Sequence, residues 1–379
     1  MTSRVLFYVQ HLLGIGHVKR AAAITRSMTR CGLDVVVVLG GPPVPLADFG
    51  DAEVLQLPSA RAADSSFKLL VDEFDNPIDD AWRDKRRDLL AALYAEVKPD
   101  LLLIELFPFG RRQFRFELLP LLDSIDHKIP VVCSVREVLV GRVKPERDIV
   151  IADIIDRYFD HILVHGDEGV ISLAETFELI GRFKDKVAYT GYVTDHNPAA
   201  VPSQAGTGEV IVSTGSGAVG ENLLRLALAA RPLSRVADLP WRFLAGDYLP
   251  KPVFDDLCAN APENVVIEWA RADFRDMLPN AALSISLGGY NTVMDVLSAK
   301  CKAIIVPFAD GDEGEQTYRA REFANRGFLH LLSADDLSVD GMVKAIDEAM
   351  EANRTGDIDI DLSGAETTAR MVSRMVSQN

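Results

Sequence analysis

The sequence predicts an α/β chain made of two doubly wound parallel sheets, on three observations. Short apolar runs recur from one end to the other, continuous rather than alternating, as strands buried on both faces are. Helix-like patterns fill the gaps between them, the alternation that right-handed βαβ units produce. At 379 residues the chain also exceeds what one core usually holds, so two domains are expected.

In the first half the runs at residues 5–9, 35–39, 101–104, 131–135 and 162–164 read as strands. Helical patterns at 18–29, 82–96 and 150–158 lie between and after them. Residues 197–208, NPAAVPSQAGTG, are rich in Pro, Ala, Gly and Ser and lack apolar periodicity, the composition of a linker. Strands follow at 210–212, 243–245, 265–267, 283–286 and 304–306, with helices at 221–230, 292–299 and 315–325. The expected domains are therefore 1–196 and 209–350. The tail, 351–379, carries a last helix with Ala369, Val372 and Val376 on one side, expected to return to the N-terminal domain.

Composition narrows the function. Nearly half the residues are apolar, ample for cores, and the net charge of −16 argues against nonspecific binding to nucleic acid or to a strongly anionic membrane. Cys31, Cys133, Cys258 and Cys301 are scattered without a CxxC or Cys/His ligand spacing, as reduced thiols of a cytoplasmic protein would be. The apolar run 5–15 is too short to span a bilayer and lacks a small-residue cleavage site. One segment, 106–122, interleaves Phe107, Phe109, Phe114 and Phe116 with Arg111, Arg112 and Arg115. That pattern fits peripheral docking on a membrane or on a lipid-linked acceptor, or else a loop and helix with buried aromatics and solvated arginines.

Three glycine turns carry the chemistry. Gly215-Ser216-Gly217-Ala218-Val219-Gly220 joins a strand to a helix, and Gly288-Gly289-Tyr290-Asn291-Thr292 does the same, with Asp295 one helical turn further on. Such turns free backbone N–H groups at helix N-termini, where the peptide dipoles favour an anion, so a phosphate-bearing ligand is expected. Thr292 and Asp295 share a helix face, letting the carboxylate reach a sugar hydroxyl; the alternative is a first-turn acid that only stabilises the helix. GSGAVG alone also fits a dinucleotide fingerprint with Asp247 on the ribose, although Asp247 lies 27 residues beyond Gly220 and the usual spacing is about 20. The third turn, Gly14-Ile15-Gly16-His17, closes the first strand and puts a histidine at the sheet edge where ligands bind. A neutral imidazole there can take the proton of a hydroxyl, making His17 the leading general base. The alternative for His17 is a turn cap or an acceptor ligand, and His11 reads as structural. Glu105, Arg136, Glu137 and His165 sit at other strand ends of the same half, as acceptor contacts or loop braces.

Two such turns with an acid–Gln pair, Glu315-Gln316, resemble the C-terminal half of GT-B glycosyltransferases of the MurG-like, family 28 type. That family makes lipid-linked peptidoglycan precursors from UDP-N-acetylglucosamine. The resemblance implies two Rossmann-like domains facing a central cleft, with acceptor bound by the first and nucleotide sugar by the second. On the donor side it implies Gly16, Gly215, Ser216, Gly217, Gly288, Gly289, Asn291, Thr292, Asp295, Glu315 and Gln316, with Trp269 and Ala270 at the base. On the acceptor side GIGH followed by Arg20 looks like the family's glycine loop, whose His faces the acceptor. Asp295 stands where the family has a longer Glu, and Thr190-Gly191-Tyr192-Val193 lacks the family's Asn-Pro-x-Arg continuation. A set of bacterial predicted glycosyltransferases with GIGH–x–x–R and a Ser-x-Arg-acid segment, here Ser134-Val135-Arg136-Glu137, is more similar still.

The expectation is transfer of a sugar from a nucleotide diphosphate sugar, a UDP sugar, to a hydroxyl acceptor. Inversion is inherited from the resemblance. Neither metal nor cofactor is expected: Asp310-Gly311-Asp312 and the acidic 357–361 read as solvated loops, and helix N-termini can hold the diphosphate. The other readings are a nucleotide-sugar hydrolase, a 2-epimerase, an NAD(P)-dependent oxidoreductase through GSGAVG, and a noncatalytic nucleotide-sugar sensor.

Overall fold

The computed structural model describes residues 2–45, 47–64, 68–139, 145–194, 204–215, 220–247, 249–307, 314–352 and 359–377. The chain divides into two compact units, residues 1–195 with 361–379, and residues 196–360. Of the stretch read as a linker, 204–208 is tied to the second unit, since Gly208 N–H donates to the Asn280 carbonyl at 2.9 Å.

Unit 1 runs β1 (Arg4–Val9), α1 (Gly16–Arg30), β2 (Asp34–Leu39), β3 (Glu53–Gln56), the hairpin β4 (Arg61–Ala62) and β5 (Leu70–Val71), then α2 (Asp80–Val97). It continues with β6 (Leu101–Glu105), α3 (Arg115–Ile125), β7 (Val131–Arg136), α4 (Pro145–Tyr158), β8 (His161–His165) and β9 (Val187–Tyr189). Its parallel sheet has the order β3-β2-β1-β6-β7-β8-β9. Strands β1, β6, β7 and β8 are almost wholly buried, which is why their sequences show no alternation.

A polar knot lies inside this core. Arg86, fully buried on α2, donates through Nε to Glu117 Oε2 at 2.8 Å and through Nη2 to Gln10 Oε1 at 2.5 Å. It also donates to the Gly40 and Pro58 carbonyls at 2.8 and 2.7 Å, while Tyr8 donates to Glu117. Every charge here is met, as burial demands. Its product is a fixed Gln10, the residue that follows β1.

Unit 2 runs β10 (Val210–Ser213), α5 (Glu221–Ala230), β11 (Trp241–Ala245), α6 (Lys251–Ala259), β12 (Val265–Trp269), α7 (Phe274–Met277) and β13 (Leu283–Leu287). It closes with α8 (Tyr290–Ala299), β14 (Ala303–Val306), α9 (Glu315–Asn325), β15 (His330–Leu331) and α10 (Val339–Glu351). Its sheet, also parallel, has the order β12-β11-β10-β13-β14-β15. The doubly wound α/β reading is borne out in both halves. The last helix, α11 (Gly364–Ser377), lies on α1, burying Ala365, Ala369 and Val372 with Val18, Ala21 and Ile24.

The aromatics of the Phe/Arg segment are core. Phe107, Phe109 and Phe114 are buried and Phe116 packs against them. Among the described residues, no helix is long and apolar enough to cross one.

Candidate functional site

In each sheet the strand order reverses once, between β1 and β6 in unit 1 and between β10 and β13 in unit 2. Chains leaving such a pair diverge to opposite faces and open a crevice at the carboxyl edge, where open α/β sheets bind ligands. His17 and Glu105 flank the first reversal, and Gly215, Gly288 and Gly289 flank the second.

At the unit 1 reversal, His17 opens α1 and Glu105 ends β6. His17 Nδ1 lies 2.9 Å from Glu105 Oε1, and Arg20, one turn along α1, pairs with the same oxygen. The other carboxylate oxygen takes a bond from Ser134 Oγ at 2.5 Å. Since that hydroxyl proton goes to Glu105, His165 Nε2 donates to Ser134 Oγ across 2.8 Å, and His165 Nδ1 accepts from Thr190 Oγ1 at 2.9 Å. One tautomer per ring satisfies the whole chain: Nδ1–H on His17 and Nε2–H on His165. His17 Nε2 is left as the lone-pair nitrogen. Arg136 Nη2 is 3.5 Å from it, too long for a strong bond.

The charges follow from this packing. Burial would push the Glu105 carboxyl up, but Arg20, His17 and Ser134 overcome it and hold it well below the usual range. Burial, with Arg136, Arg111 and Arg20 nearby, brings His17 down to about 3 against the opposing bond to Glu105. Burial and Arg20 bring His165 to about 3, and burial and Arg111 bring His11 to about 4. All three imidazoles are therefore neutral near pH 7. His11 is buried with its ring against Gly41, as a structural residue would be. Glu137 is buried with its side chain over Gly166.

At the unit 2 reversal, Gly215 takes φ +63°, a conformation open to glycine, after β10. Gly289 caps α8 without a side-chain bond, and no acid stands in that helix's first turn. The Thr292 hydroxyl sits between the turns, 3.8 and 3.9 Å from where a Cβ on Gly215 or Gly289 would be. Gln316 Oε1 lies over Gly288, 3.3 Å from the corresponding point. Asp295 is on the same helix and meets Arg275 Nε at 3.1 Å, while Asn291 is half-buried in its first turn.

Glu315 is buried and bound to Arg319 at 2.7 Å, so of the acid–Gln pair it is Gln316 that reaches the turn. The Ala270 N–H donates to the Ala245 carbonyl at 2.7 Å, continuing the pairing of β11 with β12. Trp269, more than a third exposed, stacks on Phe254 with centroids 4.0 Å apart. Ser216, Gly217, Asp310 and Asp312 lie outside the described residues.

Sequence reasoning missed Ser134 and Thr190 as links in the histidine chain, and Arg111 as part of the site. Ser134 stood in a quoted motif and could have been found by its strand-end position. The sequence marks Arg111 only as one of the cations of the Phe/Arg segment, because its place depends on how residues 106–111 fold back: its Nε donates to the Gln10 carbonyl at 2.6 Å.

Residues 257–361 match the glycosyltransferase family 28 C-terminal domain. Over 130 residues, 34% of the chain, it is 22% identical to the UDP-N-acetylglucosamine–N-acetylmuramyl-(pentapeptide) pyrophosphoryl-undecaprenol N-acetylglucosamine transferase of Lachnospira eligens. That match spans 37% of the relative's length. The fold is similar over the whole chain to MurG of Acinetobacter baumannii, with TM-score 0.60, 16% identity and all of both chains covered. It is similar also to the calicheamicin glycosyltransferase CalG4, with TM-score 0.60, 15% identity, and all of this chain and 95% of that one covered. Over residues 257–361 the chain thus matches the glycosyltransferase family 28 C-terminal domain, and its fold, two Rossmann-like units, is that of the GT-B glycosyltransferases, MurG among them.

Proposed function

We propose that this chain transfers a sugar from a nucleotide diphosphate sugar, a UDP sugar, to a hydroxyl acceptor, inverting the anomeric centre without a metal. The observation that carries the reading is the His17–Glu105 pair at the β1/β6 reversal. A carboxylate holding Nδ1–H leaves Nε2 as the proton acceptor and stabilises the imidazolium that forms. His17 takes the acceptor proton as the oxygen attacks the anomeric carbon, the bond to the diphosphate breaks, and the diphosphate leaves with its electron pair. Unit 2 supports this as the donor side, with Thr292 and Gln316 at two glycine turns, Asp295 for the ribose and Trp269 beside the base. Helix N-termini there oppose the charge growing on the leaving diphosphate.

Thermal denaturation with UDP, GDP, dTDP, ADP and NAD(P) tests the reading, because a ligand of the native state raises the midpoint. UDP should stabilise most and a UDP sugar should be consumed only with an acceptor. Stabilisation by NAD(P) alone would overturn it. Free sugar without acceptor would make the chain a hydrolase, and an epimerised nucleotide sugar an epimerase.

A further inference from the structure

His17 Nδ1 has two neighbours that ask opposite things of it. Glu105 Oε1, 2.9 Å away, accepts, and calls for a proton on Nδ1. Arg20 Nη2, 3.1 Å away, only donates, and calls for a lone pair there. The first arrangement leaves Nε2 free to take a proton. The second puts the proton on Nε2 and removes the base. Which one holds depends on where the Glu105 carboxylate points. Arg20 pairs with Oε1, the same oxygen that faces His17, so this pair alone does not stop the carboxylate turning about its last side-chain bond.

The stop comes from the other oxygen. Glu105 Oε2 accepts from Ser134 Oγ at 2.5 Å, and a serine hydroxyl has one proton to give. An imidazole presenting a lone pair to Ser134 would compete for that proton. His165, one strand over on β8, stands there with Nε2 2.8 Å from Oγ. Behind it Nδ1 accepts from Thr190 Oγ1 at 2.9 Å, which keeps the ring proton on Nε2. His165 therefore donates to Ser134 and leaves the hydroxyl proton to Glu105. Ser134, His165 and Thr190 are each fully buried, so water does not replace a bond that is lost.

We propose that His165 is a positioning residue for His17: acting through Ser134, it holds the Glu105 carboxylate in competition with Arg20 and so keeps the His17 proton on Nδ1. This deepens the reading of His17 as general base and rests on it. His165 touches no reacting atom; its part is to supply one N–H at one point. A side chain that supplies the same N–H there does the same work, and one that fills the space without it does not.

The experiment uses the full chain with nitrogen-labelled histidine, its ring tautomers read by long-range proton–nitrogen NMR correlation, and transfer kinetics alongside. In the wild type His17 should carry its proton on Nδ1 and His165 on Nε2. S134A and H165F should move the His17 proton to Nε2 and lower kcat about 10- to 100-fold, the range a hydrogen bond to a charged group is worth, with KM for the nucleotide sugar unchanged. H165Q, whose amide nitrogen can donate to Ser134, should keep the wild-type tautomer of His17 and most of the rate. The S134A/H165F double variant should lose no more than either single variant, because both remove the same bond. A role in packing alone would lower the melting temperatures of S134A and H165F and leave the His17 tautomer unchanged, which would overturn the proposal. So would a loss in H165Q equal to that in H165F, or a wild-type His17 protonated on Nε2. If H165F does not fold, S134A and H165Q decide the matter. The tautomers are read without turnover, so a wild type that transfers no sugar would sink the proposed function while the spectra still decide what His165 does.

Discussion

Glu105 fixes which nitrogen of His17 carries the proton: its Oε1 is 2.9 Å from Nδ1, and its other oxygen is pinned by Ser134. His17→Ala should lower kcat by about 10²–10⁴-fold, the usual worth of general-base assistance. Affinity for the nucleotide sugar should hardly change. A loss confined to the KM for acceptor would make His17 a binding residue only.

Glu105→Gln probes the same pair from the other side. The amide cannot neutralise buried Arg20, and breaking one partner of a buried pair typically costs about 3–5 kcal/mol. Urea unfolding should show a loss of that order, together with a fall in kcat. Undiminished stability would mean that Arg20 finds another counterion.

Acid should destabilise the fold before carboxylates titrate. His11, His17 and His165 have folded pKa values near 4, 3 and 3, below the ordinary 6.5. The unfolded chain therefore binds more protons in this window, and stability falls as pH drops from about 6.5 towards 4. Each histidine contributes up to about 1.4 kcal/mol per pH unit. Denaturant titrations at pH 7 and 5 measure the slope, and His165→Gln should reduce it by one histidine's share. A flat profile would show that these rings protonate in the native state.

On the donor side, Asp295→Ala and Gln316→Ala should each weaken UDP binding while leaving the melting temperature near wild type. Glu315→Gln should do the reverse, since its partner Arg319 is buried. Calorimetric titration and thermal melting of the three variants separate the roles. Unchanged UDP affinity in both Asp295 and Gln316 variants would remove the donor from this turn.

Turnover should survive exhaustive EDTA treatment, because helix N-termini at the two turns can answer the diphosphate charge. Activity lost to chelator and restored by Mg²⁺ or Mn²⁺ would reassign the reaction to metal assistance.

The buried parallel strands were the legible part of the fold, since Val and Ile runs of four or five residues have few other uses. Short edge strands such as β3 and β9, largely solvent-facing or half-buried, carry no such run and escaped notice. At the site, glycine turns and strand-end residues marked His17, Arg20, Glu105 and Thr292, because position at a sheet's carboxyl edge follows from chain order. What chain order hides is pairing. Glu315 and Arg319 do stand at the i,i+4 spacing of a helical ion pair, but nothing in 106–111 showed Arg111 returning to β1.

Unit 1 is discontinuous: α11, near the end of the chain, covers the α1 helix that begins with Gly16 and His17. During synthesis the outer face of α1, with Val18, Ala21 and Ile24, stays uncovered until the whole of unit 2 has left the ribosome. The helix bearing the proposed base is thus made before unit 2 and completed after it. Nicking or fusion near Gly364 acts on it from the far end of the sequence.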